Sequence, residues 1–132
     1  RTTIETDWMG APILSSQVWM TARDLARLAL LHLNDGKWNG ERLLPEGWVA
    51  EAVTPRGPQP QDARRQGYGR AIWLLGKAQG LPEGTFAFFG NRGQYAVVVP
   101  SAGLIVVRRG FDPAGAGFDP VALTRDVLAA LD

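Results

Sequence analysis

Apolar residues recur at helical spacing in the first part of this chain and crowd into strand-like runs in the second. Between residues 21 and 33, Leu25, Leu28, Ala29, Leu31 and Leu33 form a broad apolar stripe, which predicts an amphipathic helix. Thr21-Ala22-Arg23-Asp24 has capping-box spacing, with Asp in place of Glu. Asn34-Asp35-Gly36 ends the helix, since Gly36 is free to take positive φ. Residues 1–18 read as turn-like, with Gly10, Pro12 and Ser15-Ser16. A second turn is expected at Asn39-Gly40. Pro45 suits the first turn of a short helix whose buried face is Trp48, Val49 and Val53. Residues 54–66 hold Pro55, Pro58 and Pro60, several charges and little apolar content, and read as a surface loop.

The period then changes. Residues 67–75, with Tyr68, Ile72 and Trp73, predict one strand, and 85–89, 94–99 and 104–109 predict three more. Val97-Val98-Val99 and Ile105-Val106-Val107 lack clean alternation, so both faces of those strands should be covered. Asp119 caps a last helix with Pro120 in its first turn, and Val121, Leu128 and Leu131 are expected to pack on the sheet. The fold class is α+β: an antiparallel sheet of three to four strands, a C-terminal helix on it and two N-terminal helices. The 132 residues suggest one compact domain, with a helical part (1–53), a loop (54–66) and a sheet with terminal helix (67–132).

Composition narrows the function classes. The net charge is +1, and all but Lys37 and Lys77 of the fourteen basic residues are arginine. Only Arg64-Arg65 and Arg108-Arg109 are adjacent, too dispersed for a nucleic-acid face. With no cysteine and His32 alone, no metal site or cofactor is expected, and His32 reads as a side chain late on a helix. No apolar run approaches the ~20 residues of a membrane span.

The most suggestive chemistry lies at Phe88-Phe89-Gly90-Asn91-Arg92-Gly93-Gln94-Tyr95, where an apolar run meets a polar turn and a second apolar run leaves it. Such a turn sets backbone N–H groups at the tip of buried sheet, where they can polarise a substrate. Asn91 is the leading candidate, although Asn also tolerates positive φ in ordinary turns. Gly90 and Gly93 serve the turn and close backbone approach. Arg92 could pair with a substrate carboxylate, and Gln94 favours a structural hydrogen bond. Trp8, in the loop 7–16, could line a pocket, whereas Trp19, Trp38, Trp48 and Trp73 read as packing residues.

Trp19-Met20-Thr21-Ala22-Arg23-Asp24-Leu25, Asn34-Asp35-Gly36-Lys37-Trp38-Asn39-Gly40, Leu43-Leu44-Pro45-Glu46-Gly47-Trp48, Gly67-Tyr68-Gly69, Gly90-Asn91-Arg92-Gly93-Gln94-Tyr95 and Val106-Val107-Arg108 stand in a suggestive order. The ordered set resembles the serine β-lactamase and penicillin-binding-protein-like hydrolases, nearest the class C-related esterases and 6-aminohexanoate-dimer hydrolases. The resemblance implies a helical region and an antiparallel sheet with the active site between them. There, an S-x-x-K serine attacks a carbonyl, a Y-x-N-type tyrosine assists proton transfer, and an edge-strand N–H helps form the oxyanion hole. By position, that N–H falls to Asn91, beside Gly90, while Arg92 and Trp8 are expected at the substrate.

This sequence departs from the pattern. Ser15, Ser16 and Ser101 are followed three residues on by Val18, Trp19 and Leu104, so no S-x-x-K is present. Tyr68 and Tyr95 begin no Y-x-N, and Lys37 and Lys77 begin no K-T-G. The expectation is therefore the C-terminal part of an ester, amide or β-lactam hydrolase, with the first two motifs upstream and this chain alone inactive. The rival expectation is a non-catalytic binding or scaffolding domain whose sheet is covered by a partner or a second copy, since only one long helix precedes strands that need two covers.

Overall fold

The structure, a computed structural model, describes residues 1–14 and 17–131; Ser15 and Ser16 lie outside the described residues. It opens with strands β1 (Thr2–Ile4) and β2 (Val18–Met20), paired antiparallel with Thr2 opposite Met20. Residues 1–18 are thus not wholly turn-like. Short β-branched and aromatic triplets at either end of the segment suffice to close a ribbon.

Helix α1 (Ala22–Leu33) follows the stripe. The Thr21 hydroxyl accepts from Asp24 N–H at 3.1 Å, as the capping box requires. Gly36 takes φ 76° beyond its end. Strands β3 (Lys37–Trp38) and β4 (Glu41–Arg42) fold about Asn39 and Gly40, both at positive φ, the signature of a tight hairpin turn. Helix α2 (Trp48–Ala52) begins later than the proline suggests. Pro45 instead offers its carbonyl to Trp48 N–H at 3.1 Å, and Gly47 enters the helix at φ 76°.

The single strand expected over 67–75 is two: β5 (Gly67–Tyr68) and β6 (Trp73–Leu74), folded onto each other. The cause is a crossing over the end of α2. Arg70 N–H donates to the Ala52 carbonyl at 2.9 Å, and a Cβ on Gly69 would stand 2.2 Å from that oxygen. The chain must turn there, and Ala71 accepts φ 58° to do so. Strands β7 (Phe86–Gly90), β8 (Gln94–Val99) and β9 (Leu104–Arg108) complete a five-stranded antiparallel sheet in sequential order, one strand more than the pattern alone suggested.

Helix α3 (Pro120–Ala129) closes the chain. The Asp119 carboxylate accepts from Val121 N–H and Ala122 N–H, and Pro120 occupies the first turn, as its lack of an N–H favours. Leu131 is exposed past the helix end rather than on the sheet.

Both faces of the sheet find covers within the chain. Ala96 and Val98 of β8 join Phe86 and Ala29, with Leu25 and Leu33 of α1 packed against them. Val97 and Val99, one residue out of phase, join Ala87 and Val121, with Leu128 of α3 alongside. Strand alternation alone divides consecutive valines between the two layers, which is why Val97, Val98 and Val99 are at most 1% exposed. Among the described residues no helix is long and apolar enough to cross a membrane.

Candidate active-site groove

The end of β7 projects past its neighbour. Strand β6 pairs with β7 only at Phe86 and Ala87. Carried two residues further, the register would set Ala71 opposite Phe89, but Ala71 lies in the β5–β6 turn. Leu75 N–H donates to the Thr85 carbonyl at 2.9 Å, so Thr85 turns its carbonyl toward β6. By alternation Ala87 and Phe89 do the same. The Phe89 backbone groups therefore face an edge that β6 has left. Sequence reasoning missed this edge, because it depends on where β6 stops.

Beyond it, Gly90 pairs with Gln94 and residues 91–93 form a three-residue turn. Positive φ falls on Arg92 (58°) and Gly93 (85°), not on Asn91. Asn91 is exposed, and no acceptor among the described residues takes its backbone N–H. A Cβ on Gly90 would sit 3.0 Å from Gln94 Cβ, so the cross-strand partner already fills that space.

The turn is held from behind. Arg108 clamps Asp112 with two hydrogen bonds of 2.7 Å and donates to the Gly93 carbonyl at 3.0 Å. Its guanidinium lies 3.9 Å above the Phe118 ring, which stacks on Tyr95. Hydrogen bonding from Arg108 holds the Asp112 carboxyl below the usual carboxylate range, and the reciprocal bond pushes the guanidinium up. Gln94 Nε2 donates to the Gly110 and Arg92 carbonyls, the structural role expected of it. The same side chain leaves its buried Oε1 without a donor among the described residues. The Arg108–Asp112 clamp was not foreseen. Its only sequence sign is an acid four residues beyond an arginine that ends a strand.

In front of the turn lies a groove of 930 Å³. Val18, Trp19 and Met20 of β2 and Leu25 and Leu28 of α1 form one wall, and Phe88, Phe89 and Gly90 the other. Asn91, Arg92, Gln94, Arg109 and Phe111 complete one end. Arg92 stacks over Phe111, its guanidinium carbon 4.3 Å from the ring centroid. The structure thus brings Gly90, Asn91 and Arg92 together on one groove. Trp8 stands apart, 92% exposed and outside the lining. Trp19, expected as a packing residue, is exposed on the groove wall.

No protein-family model and no curated protein matches the chain. Solved structures do. A candidate 6-aminohexanoate-dimer hydrolase from Bacillus anthracis aligns with 99% of this chain at a TM-score of 0.67 and 22% identity. A candidate beta-lactamase from Bacteroides dorei DSM 17855 aligns with 96% at 0.62 and 18%. The chain has a serine β-lactamase-like fold. It spans 32% of the length of the first structure and 44% of the second. Within this β-lactamase-like sheet, β7 and its turn form the edge that the groove exposes.

Proposed function

We propose that this chain supplies the sheet side of a serine acyl-hydrolase site that opens esters, amides or β-lactams through an acyl-serine. The observation that carries the reading is the uncovered β7 edge and its turn, whose Asn91 lines the groove and has an N–H that no acceptor among the described residues takes. In this reading the Asn91 N–H donates to the carbonyl oxygen as it gains charge, with the Phe89 N–H on the same edge. Such donors act because they are fixed in place before charge develops. Gly90 lets Gln94 close against the strand beside that N–H, and Arg92 binds a polar group on the substrate. The nucleophile comes from outside these residues. Ser101 is exposed and follows the end of β8 opposite the Asn91 turn, too remote along the sheet to serve.

The test begins with this chain alone, offered a chromogenic ester, a chromogenic β-lactam and a serine-reactive fluorophosphonate. The expected result is neither turnover nor adduct. In the longer enzyme that this reading requires, Asn91→Pro removes the N–H, and kcat is expected to fall by about 10²–10³. Asn91→Ala, which keeps the N–H, should stay near the parent at an unchanged melting temperature. An adduct mapped to Ser15, Ser16 or Ser101 would overturn the assignment, as would equal activity of the Pro and Ala variants.

A further inference from the structure

The two edges of the five-stranded sheet end differently. At β5, Tyr68 turns its backbone away from β6, and a loop takes it up. The Gln59 side chain accepts from the Tyr68 N–H at 2.8 Å and donates to the Tyr68 carbonyl at 2.9 Å. Arg56 N–H reaches the same carbonyl at 3.0 Å. An amide side chain thus stands where a further strand would bond, and this edge is closed.

At β9 the edge is open. Since Thr85, Ala87 and Phe89 face β6, Phe86, Phe88 and Gly90 bond across to Val98, Ala96 and Gln94 of β8. Tyr95, Val97 and Val99 then face the other way and bond Arg108, Val106 and Leu104 of β9. Ile105 and Val107 therefore turn their N–H and C=O groups outward, where no backbone group among the described residues takes them. The usual devices that blunt an edge are missing. Leu104-Ile105-Val106-Val107 contains no proline, lysine or inward-pointing charge, and the strand pairs with β8 without a bulge. Its side chains are half-buried, with Ile105 and Val107 packed toward α1 and Leu104 toward α3. What remains unsatisfied is backbone, and a strand laid alongside satisfies it.

We infer that the β9 edge pairs with the β9 edge of a second copy of this chain, antiparallel about a two-fold axis at Val106. That register sets Ile105 opposite Val107 of the copy and Val107 opposite its Ile105, so every outward group of the strand finds a partner. A slip of two residues would leave part of each strand unpaired. Charge selects the same arrangement. The strand ends in Arg108-Arg109 and begins beside uncharged Gly103, so antiparallel pairing holds the arginines of the two copies at opposite ends of the seam. Parallel pairing would set them side by side and repelling. Because Gln59 closes the β5 edge, the assembly stops at two. A seam one strand long falls at the small end of specific interfaces, so the dimer is weak and depends on concentration. The inference is independent of the hydrolase reading.

The test is analytical ultracentrifugation of this chain over about a hundredfold range of concentration, with amide hydrogen exchange on the same samples. The mass should rise from monomer to dimer and stop there. Exchange at Ile105 and Val107 should slow about tenfold once most of the chain is paired, while Leu104 and Val106, bonded to β8 in either state, should not change. Val107→Pro removes an outward N–H and no bond to β8, and should remain a monomer throughout. Val107→Thr keeps that N–H and should dimerise like the parent. Gln59→Ala opens the β5 edge and should carry association beyond the dimer. A monomer at every concentration would overturn the inference and leave the edge to a strand from elsewhere. A dimer that survives Val107→Pro, or exchange at Ile105 and Val107 that ignores concentration, would overturn it too. The exchange data come from the parent chain, so they decide the matter even where Val107→Pro fails to fold. Turnover and labelling are read separately, so the hydrolase reading stands or falls apart from this one.

Discussion

Gly93 is a position where a single added carbon should test the clamp behind the turn. It sits at φ 85°, where an L side chain is strained by about 1–2 kcal/mol. An alanine Cβ there would also stand 2.1 Å from an Arg108 guanidinium nitrogen and 2.3 Å from Asp112 Oδ2. Neither group can yield without opening the clamp behind the turn. Forcing atoms into filled space adds about 1–3 kcal/mol, so Gly93→Ala should destabilise by about 2–5 kcal/mol. Gly103 isolates the backbone part, since it has φ 58° and no atom within 4 Å of a built Cβ. Gly103→Ala should therefore cost only about 1–2 kcal/mol. Urea unfolding of the three proteins measures the difference directly. In thermal melts a domain of this size loses roughly 3–5 °C per kcal/mol, so Gly93→Ala should melt roughly 6–25 °C lower. If the two variants prove equally stable, the clamp yields freely and does not hold the turn.

The acid limb of the stability curve should report the same clamp. The folded Asp112 carboxyl is held below its ordinary value by Arg108, so its contribution is present above the unfolded pKa near 4 and is lost as pH falls through the folded one. The stability gap between the parent and Asp112→Asn should be constant from about pH 5 to 8 and shrink below about pH 4; a gap independent of pH would refute this. Thr21→Ala removes the acceptor of Asp24 N–H and should cost about 1 kcal/mol in chemical denaturation, an unchanged midpoint counting against the cap. Val98→Ala empties a fully buried site between α1 and the sheet, and a loss of about 2–3 kcal/mol is expected from two missing methyl groups and the cavity they leave.

Local chemistry carried the ends of the elements. Thr21 and Asp119 marked both capped helices because a hydroxyl or carboxylate must satisfy N–H groups only one turn away. Asn39-Gly40 marked its hairpin for an equally local reason: both residues take positive φ. The β5–β6 fold was illegible because Gly67 to Leu75 reads as continuous strand. What breaks it is the Ala52 carbonyl, brought in from α2. At the candidate site, Gly90, Asn91 and Arg92 stood out as a polar turn between apolar runs. Arg109, Phe111 and the exposed face of Trp19 did not, since each looks like ordinary sequence until β2, β7 and the loop after β9 meet at the groove.

The sequence by itself determined the α+β class, the capped helices, the double-sided burial of β8 and the turn that ends β7. These follow from periodicity and from hydrogen bonds closed within a few residues. The tertiary structure decided which edge of β7 lies open, which arginines pair with acids and which face the groove, and how Arg108 braces Gly93. Those depend on where one segment stops and another crosses, and the contacts that set it join residues far apart in the chain.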